Sequence, residues 1–354
     1  MTYTTIPELV RAIGPFDRKA VAKVRARQAN LTKPPVSLGR LEGVSIQLAG
    51  IFGTERPKPR GKVVIVVAGD HGVVAQGVTA YPQQVTAQMV LNFLAGGAAV
   101  SVMARQSGVR LVVVDAGVAS DLPKHDALRS LKIGRGTDDI SQGPAMSHAQ
   151  AERCILEGAA LAAEAAQQAD LIGTGDMGIG NTTASSAIIA SITGRDPAET
   201  TGRGTGRSDG ELDRKIAVVR HALEANRPDN ADGLDVLEKV GGFEIGVLAG
   251  VILGAAAARR VVVLDGFIAG AAALIACTIA PAAKHYCIAG HRSAERGHRH
   301  ALRHLKLKPL LDLDMRLGEG TGAVLAMGVI EAAAATLSEM ATFEEAAVSN
   351  RAVP

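Results

Sequence analysis

The segment KVVIVVAGD, residues 62–70, decides the fold. From Val63 to Ala68 it is apolar without alternation and dominated by β-branched side chains. A strand with one face in water alternates polar and apolar residues, whereas an unbroken apolar run belongs to a strand covered on both faces. Working outward, runs of the same kind recur at RLVVVDAG (110–117), ADLIGTGD (169–176), ARRVVVLDG (258–266) and KHYCIAG (284–290), with a weaker one at PLLDLDMR (309–316). Longer Ala-rich stretches with helical spacing lie between most of them, such as Val85 to Gln106 and Ala149 to Ala166. This alternation predicts an α/β protein with a mostly parallel sheet flanked by helices. Most of the runs end in Gly, Asp or both, and ligands in such sheets bind beyond the carboxyl ends of the strands.

The chain ends read as helical. Up to about residue 30, Thr5 and Glu8 have capping-box spacing, and Leu9, Val10 and Ile13 follow with helical period. LGRLEGVSIQLAGIF (38–52) is a second helical segment, and GTERPKPRG (53–61) is a connection marked by Pro, Gly and charge. The last stretch, Gly322 to Ala346, is Ala-rich, helical, and placed to pack back on the N-terminal helices.

Composition narrows the function. The 354 residues are 47% hydrophobic, enough for one large core, with 3% aromatic and no Trp, a poor supply of platforms for stacking single-stranded bases. The net charge of +3 comes from 38 basic and 35 acidic residues without a long basic block, so nucleic acid is not an expected partner. Cys154, Cys277 and Cys287 form no CxxC pair, which disfavours a disulfide framework or zinc knuckle and fits a reducing compartment. The start, MTYTTIPELVRAIG, lacks a basic segment followed by a long apolar one, so no secretory signal is read. The uncharged run Gly266 to Ala283 is long enough for a membrane helix but is not read as one, because Asp265 and Lys284 abut it and it follows a strand-like run.

Five polar or Gly-rich segments could carry chemistry. GTGDMGIGNTT (173–183) lies between a strand and a helical run; it is an anion cradle or a tight turn capped by Asn181, Thr182 or Thr183. TTGRGTGRSDGELDRK (200–215) offers Arg203 or Arg207 to a phosphate, or is a surface loop, and it lacks the G-K-[ST] of a triphosphate-binding loop. In LGEGTGA (317–323), Glu319 is a general base in a desolvated site, or an acid offsetting a helix dipole. AGDHGV (68–73) presents Asp70 and His71, read as a structural pair bonded to a neighbouring loop, since a metal needs three or four convergent ligands. HRSAERGHRH (291–300) is read as a polar loop and helix start, with Ser293 able to donate to an anion and His298 and His300 on different helix faces.

Taken together and in order, nine blocks resemble one family. They are KPPVSLGRLE (33–42), AGDHGV (68–73), YPQQVTAQMVLNFLAGGAA (81–99), GDMGIGNTTA (175–184), GRGTG (202–206), GGFEIGVLAG (241–250), LDGFIAGAAAL (264–274), HRSAERGH (291–298) and LDLDMRLGEGTGA (311–323). Spanning about Lys33 to Met327, they look like the signature blocks of the nicotinate-nucleotide:dimethylbenzimidazole phosphoribosyltransferase family. The resemblance implies a cytoplasmic homodimer with two domains, a large α/β domain over 61–329 and a small helical one built from 1–60 and 330–354. It implies transfer of phosphoribose from nicotinate mononucleotide to 5,6-dimethylbenzimidazole, giving α-ribazole 5′-phosphate and nicotinate, without metal, cofactor, nucleic acid or membrane.

Residue by residue, the resemblance makes Glu319 the catalytic glutamate. Asp176 stands where the family usually has a glutamate, one methylene longer. Gln88, Met177 and Leu317 fall beside the benzimidazole; Gly178, Asn181, Gly204, Ser293 and Gly322 fall in nucleotide-binding blocks; Lys215 falls beside the ribose. Val36 replaces the usual glycine of the KPPGSLG block. Three rivals remain at this point: a related transferase for another azole, purine or phenol, a catalytically silent nucleotide-binding protein, and a metal hydrolase using Asp70, His71 and the 291–304 histidines.

Overall fold

The computed structural model describes residues 3–203 and 209–349. Its strands are β1 (Lys62–Gly69), β2 (Arg110–Gly117), β3 (Leu128–Ser130), β4 (Leu171–Met177), β5 (Val261–Leu264) and β6 (Cys287–Ala289). They form one sheet of order β3-β2-β1-β4-β5-β6, every pairing parallel. The helices are α1 (Ile6–Ala12), α2 (Arg18–Asn30), α3 (Arg40–Phe52), α4 (Gln84–Leu94), α5 (Ala99–Gln106), α6 (His148–Ala165) and α7 (Asn181–Thr193). They continue with α8 (Pro197–Thr200), α9 (Asp209–Asn226), α10 (Gly233–Val240), α11 (Phe243–Ala257), α12 (Phe267–Ile279), α13 (His298–Leu305) and α14 (Thr321–Glu339).

The apolar run that opened the reading is buried from Val63 to Gly69, as a doubly covered strand requires. Val64 and Val66 face Gly320 and Gly175 on the side where α14 lies. Gly69, of the opposite parity, faces Glu244 at the start of α11. Helix α11 crosses the sheet and packs along α6, while α14 packs against β4 and β5 and carries α3 on its other side. The uncharged run Gly266 to Ala283 holds α12, buried from Phe267 to Ala276.

Several expectations differ from the structure in ways that sequence periodicity could not reveal. PLLDLDMR is not a strand: Leu311 makes an isolated bridge to His291, and the chain then turns outward through Asp312, Leu313 and Asp314, the last with φ 54°. Strand β3 carried no apolar run, being three residues long with Arg129 and Ser130 exposed at the sheet edge. The helical reading of Val85 to Gln106 breaks at Ala95–Ala98, where Gly96 has φ 78°. The first helical stretch breaks at Ile13, and Asp17 caps α2 by accepting the N–H groups of Lys19 and Ala20 at 2.9 Å. The last helix ends at Glu339, and Thr342 then pairs with Leu31. Helix α14 runs unbroken through 329/330, so one rigid rod joins the sheet to the terminal helices α2 and α3.

Val36 has φ 62° and lies 72% exposed. A β-branched residue in the left-handed region is strained by roughly 1–2 kcal/mol, and nothing around this exposed side chain offsets that cost. Val36→Gly relieves the strain but adds chain entropy to the unfolded state, so a net gain of about 0.5–1 kcal/mol is expected. A raised urea midpoint with unchanged slope would show it; a lowered midpoint would contradict it.

Candidate functional site

Strand order reverses between β1 and β4, so the crevice beyond their carboxyl ends is the natural binding place. A cavity of about 580 Å³ opens there. Asp176, Met177, Gly178 and Asn181 reach it from the end of β4, Gly266, Phe267 and Ile268 from the end of β5, and His291 and Ser293 from the end of β6. Arg316, Leu317 and Gly318 close one side, with Tyr81 and the 57% exposed Leu317 at its open edge.

Two helices start in this wall. Gly180 precedes α7 and Gly266 precedes α12, and neither start has a side-chain cap. Uncapped N–H groups and the helix dipole make both starts attractive to an anion. None of Asn181, Thr182 or Thr183 caps α7. The Asn181 amide instead donates to Asp176 Oδ2 at 3.0 Å, and Thr182 Oγ1 accepts from the buried Lys215 Nζ at 2.7 Å. The turn leading into α7 needs Gly178, because a Cβ there would overlap the Gly69 carbonyl oxygen.

The carboxyls here are raised by burial. Desolvation, with the nearby charges of Asp265 and Glu244, pushes Asp176 well above the usual carboxylate range, against the pull of Asn181. Glu319 is 6% exposed and raised by burial, while the N–H of Val100 pulls it back. Its Oε2 accepts that N–H at 3.2 Å, in the first turn of α5. Glu319 therefore spans from the α14 turn to the start of α5. Its carboxyl is buried and does not line the cavity, whose wall includes the preceding Gly318.

Asp70 and His71 form the expected structural pair. Asp70 Oδ2 accepts the Ala119 N–H at 2.8 Å, and His71 Nε2 lies 2.6 Å from Glu244 Oε1, with the ring and the carboxyls buried. Glu244 in turn abuts Gly178, so this pair props the α7 turn from below. Among the described residues no three His, Cys, Asp or Glu side chains converge as a metal site would. Gln88 is exposed on α4, which Thr86 anchors to the cavity by accepting the Ile179 N–H at 3.1 Å. Gly204 and Arg207 lie outside the described residues. The N–H of Gly322 is committed to Asp265 Oδ1 at 2.7 Å, and a Cβ at Gly322 would overlap the His291 ring. Residue reading gave no role to Asp265 or Glu244, and weighed His291 only among the histidines of a metal hydrolase. The signal for Asp265 was present, an acid before glycine at the end of VVVLDG.

Comparison with known proteins gives the family of the chain. A profile of the phosphoribosyltransferase family DBI_PRT matches residues 13–348. The nicotinate-nucleotide–dimethylbenzimidazole phosphoribosyltransferase of Chloroflexus aurantiacus is 60% identical over 347 residues, 98% of this chain and 99% of that protein. The chain belongs to the nicotinate-nucleotide–dimethylbenzimidazole phosphoribosyltransferase family. The family's member from Desulforudis audaxviator is 54% identical over 341 residues, covering 96% of this chain and 97% of that protein. Crystal structures of the family's enzyme from Thermus thermophilus superpose with TM-scores of 0.90 and 0.91 at 46% and 48% identity. They cover 95% and 94% of this chain and the whole of each compared chain. The parallel α/β architecture read from the strand runs is thus the family's own, and the chain is a phosphoribosyltransferase.

Proposed function

We propose that this chain transfers phosphoribose from nicotinate mononucleotide to 5,6-dimethylbenzimidazole, with Glu319 as the general base. The observation that carries the reading is the switch-point cavity, where two uncapped helix starts meet the buried carboxyl of Asp176, with the buried Glu319 next in the chain after Gly318 of its wall. The phosphate lies against the starts of α7 and α12, with Gly178, Asn181 and Ser293, and Lys215 supports the ribose side through Thr182. The benzimidazole lies between Met177, Leu317 and Gln88. Gly204 completes the phosphate cradle from the 200–215 loop, and Gly322 serves by leaving room for His291.

In this reaction the basic nitrogen of the azole attacks C1′ as the bond to the nicotinate nitrogen breaks. The electron pair of that bond returns to the ring, which departs as a neutral pyridine nitrogen. The azole N–H becomes acidic as attack proceeds, and Glu319 takes its proton. Among the described residues Oε1 of Glu319 has no hydrogen-bond partner, so it is the oxygen offered to that proton. Attack opposite the nicotinate converts a β-linkage into an α one. Asp176, its carboxyl raised by burial and bonded by the Asn181 amide, meets the substrates at the cavity wall. The enzyme works in the cytoplasm as a homodimer, and the exposed Leu91 and Val102 on α4 and α5 are suited to burial against a second copy.

Incubation with both substrates is expected to give α-ribazole 5′-phosphate and stoichiometric nicotinate, with adenine and phenols as poorer acceptors. Added EDTA is expected to leave the rate unchanged, because no diphosphate leaves and the leaving nitrogen needs no Lewis acid. Loss of activity on chelation, restored by a divalent ion, would contradict this scheme. Nucleotide binding without nicotinate release would instead indicate a silent binding protein.

A further inference from the structure

We propose that Asp265 is the positioning residue for Glu319, gripping the turn that carries the base in a backbone path the chain does not keep unaided. The path is unusual. Gly318, Glu319 and Gly320 have successive φ values of 83°, 63° and 93°. Left-handed residues normally occur singly, and a glutamate among them persists only where surrounding contacts over-determine it. Thr321 donates its N–H and hydroxyl to the Gly318 carbonyl at 3.2 and 2.9 Å, and the contacts from outside the turn's own backbone are led by one carboxylate on another strand. Asp265 Oδ2 accepts the Gly320 N–H at 3.1 Å, and Oδ1 accepts those of Gly322 at 2.7 Å and Ala323 at 3.1 Å. Asp265 therefore caps α14 from the end of β5.

Asp265 is itself held. It is fully buried, its own N–H donates to Thr174 Oγ1 at 3.2 Å, and His291 Nε2 stands 3.6 Å from Oδ1. Burial pushes its carboxyl up to about 7 even though the three backbone N–H groups pull it down. Three N–H donors thus reach its two oxygens, the pattern that a carboxylate accepts. The three N–H groups are thereby satisfied without Glu319, whose side chain stays free to reach α5 and the acceptor.

The inference rests on Glu319 being the base, and a double-mutant cycle separates the two claims. Asp265→Asn turns an amide N–H toward the N–H donors and releases the turn. Turnover is expected to fall roughly 10²-fold, the effect of a misplacement near 1 Å, with KM for the nucleotide within about threefold. In a Glu319→Gln background, the same change is expected to alter turnover by less than about threefold, because nothing remains to position. A full, additive loss in that background would overturn the proposal while leaving the base intact. Unimpaired turnover by Glu319→Gln alone would overturn the base reading, and this inference with it. Should Asp265→Asn not fold, Asp265→Ser tests the same cycle with a neutral acceptor. Hydrogen exchange of the unaltered protein gives a further check: the 318–323 amides should exchange far more slowly than those of 312–314. Equal exchange would mean that no grip exists.

Discussion

Glu319→Gln is expected to lower turnover at least ~10²-fold while nucleotide affinity changes by less than about threefold. The amide keeps the size of the side chain and can still accept the Val100 N–H, so α5 and the α14 turn have no reason to move. It cannot take a proton from the azole. The loss should therefore lie in the chemical step, visible in single-turnover rates, and not in nicotinate mononucleotide binding. The pH profile supplies the sign. A base works only when ionised, and burial raises the Glu319 carboxyl. Activity should rise with pH through a limb placed above the ordinary carboxylate range, and that limb should vanish in the glutamine variant. A variant with near-normal turnover, or one that keeps the limb, would remove Glu319 from the role.

The fold was legible because burial on both faces leaves a plain trace: β1, β2, β4, β5 and β6 each lie within an apolar run. Strand β3 left no trace because its side chains meet water at the edge. The site was legible only in outline. LGEGTGA allowed either a base or an acid offsetting a helix dipole, and the helix start that Glu319 meets is not the one its sequence position suggested. The α14 start is met by Asp265, 54 residues before Glu319 in sequence, whereas Glu319 meets the start of α5. Caps supplied from another strand have no sequence spacing, so periodic reading cannot find them. GIGNTT likewise offered three cap residues, yet Asn181 is spent on Asp176 and Thr182 on Lys215. Val36 was read as a departure from a family pattern, and its left-handed φ supplies the physical reason a glycine belongs there.

A second large effect concerns the scaffold beneath the site. Gly158→Ala is expected to cost about 2–3 kcal/mol, although alanine is the better helix former. Helices α6 and α11 meet backbone to backbone: a Cβ at Gly158 would overlap the Val247 carbonyl oxygen and lie 2.9 Å from Gly250 Cα. Gly246 faces Cys154 and Gly254 faces Ala159 along the same seam, so the extra methyl has no flexible side chain to push aside. One helix must move, and the one that moves carries function. Helix α11 begins beside Glu244, which binds His71 and abuts Gly178 in the α7 turn. A lowered urea midpoint should therefore come with a raised KM for the nucleotide. Gly328→Ala is the matched control, in an exposed helical position of α14 with nothing within 4 Å of the new methyl. There the propensity term acts alone, and a gain of about 0.5–1 kcal/mol is expected. Opposite signs from one chemical change would locate the cost in the α6–α11 seam. A stabilised Gly158→Ala would mean that the two helices are not in backbone contact in solution.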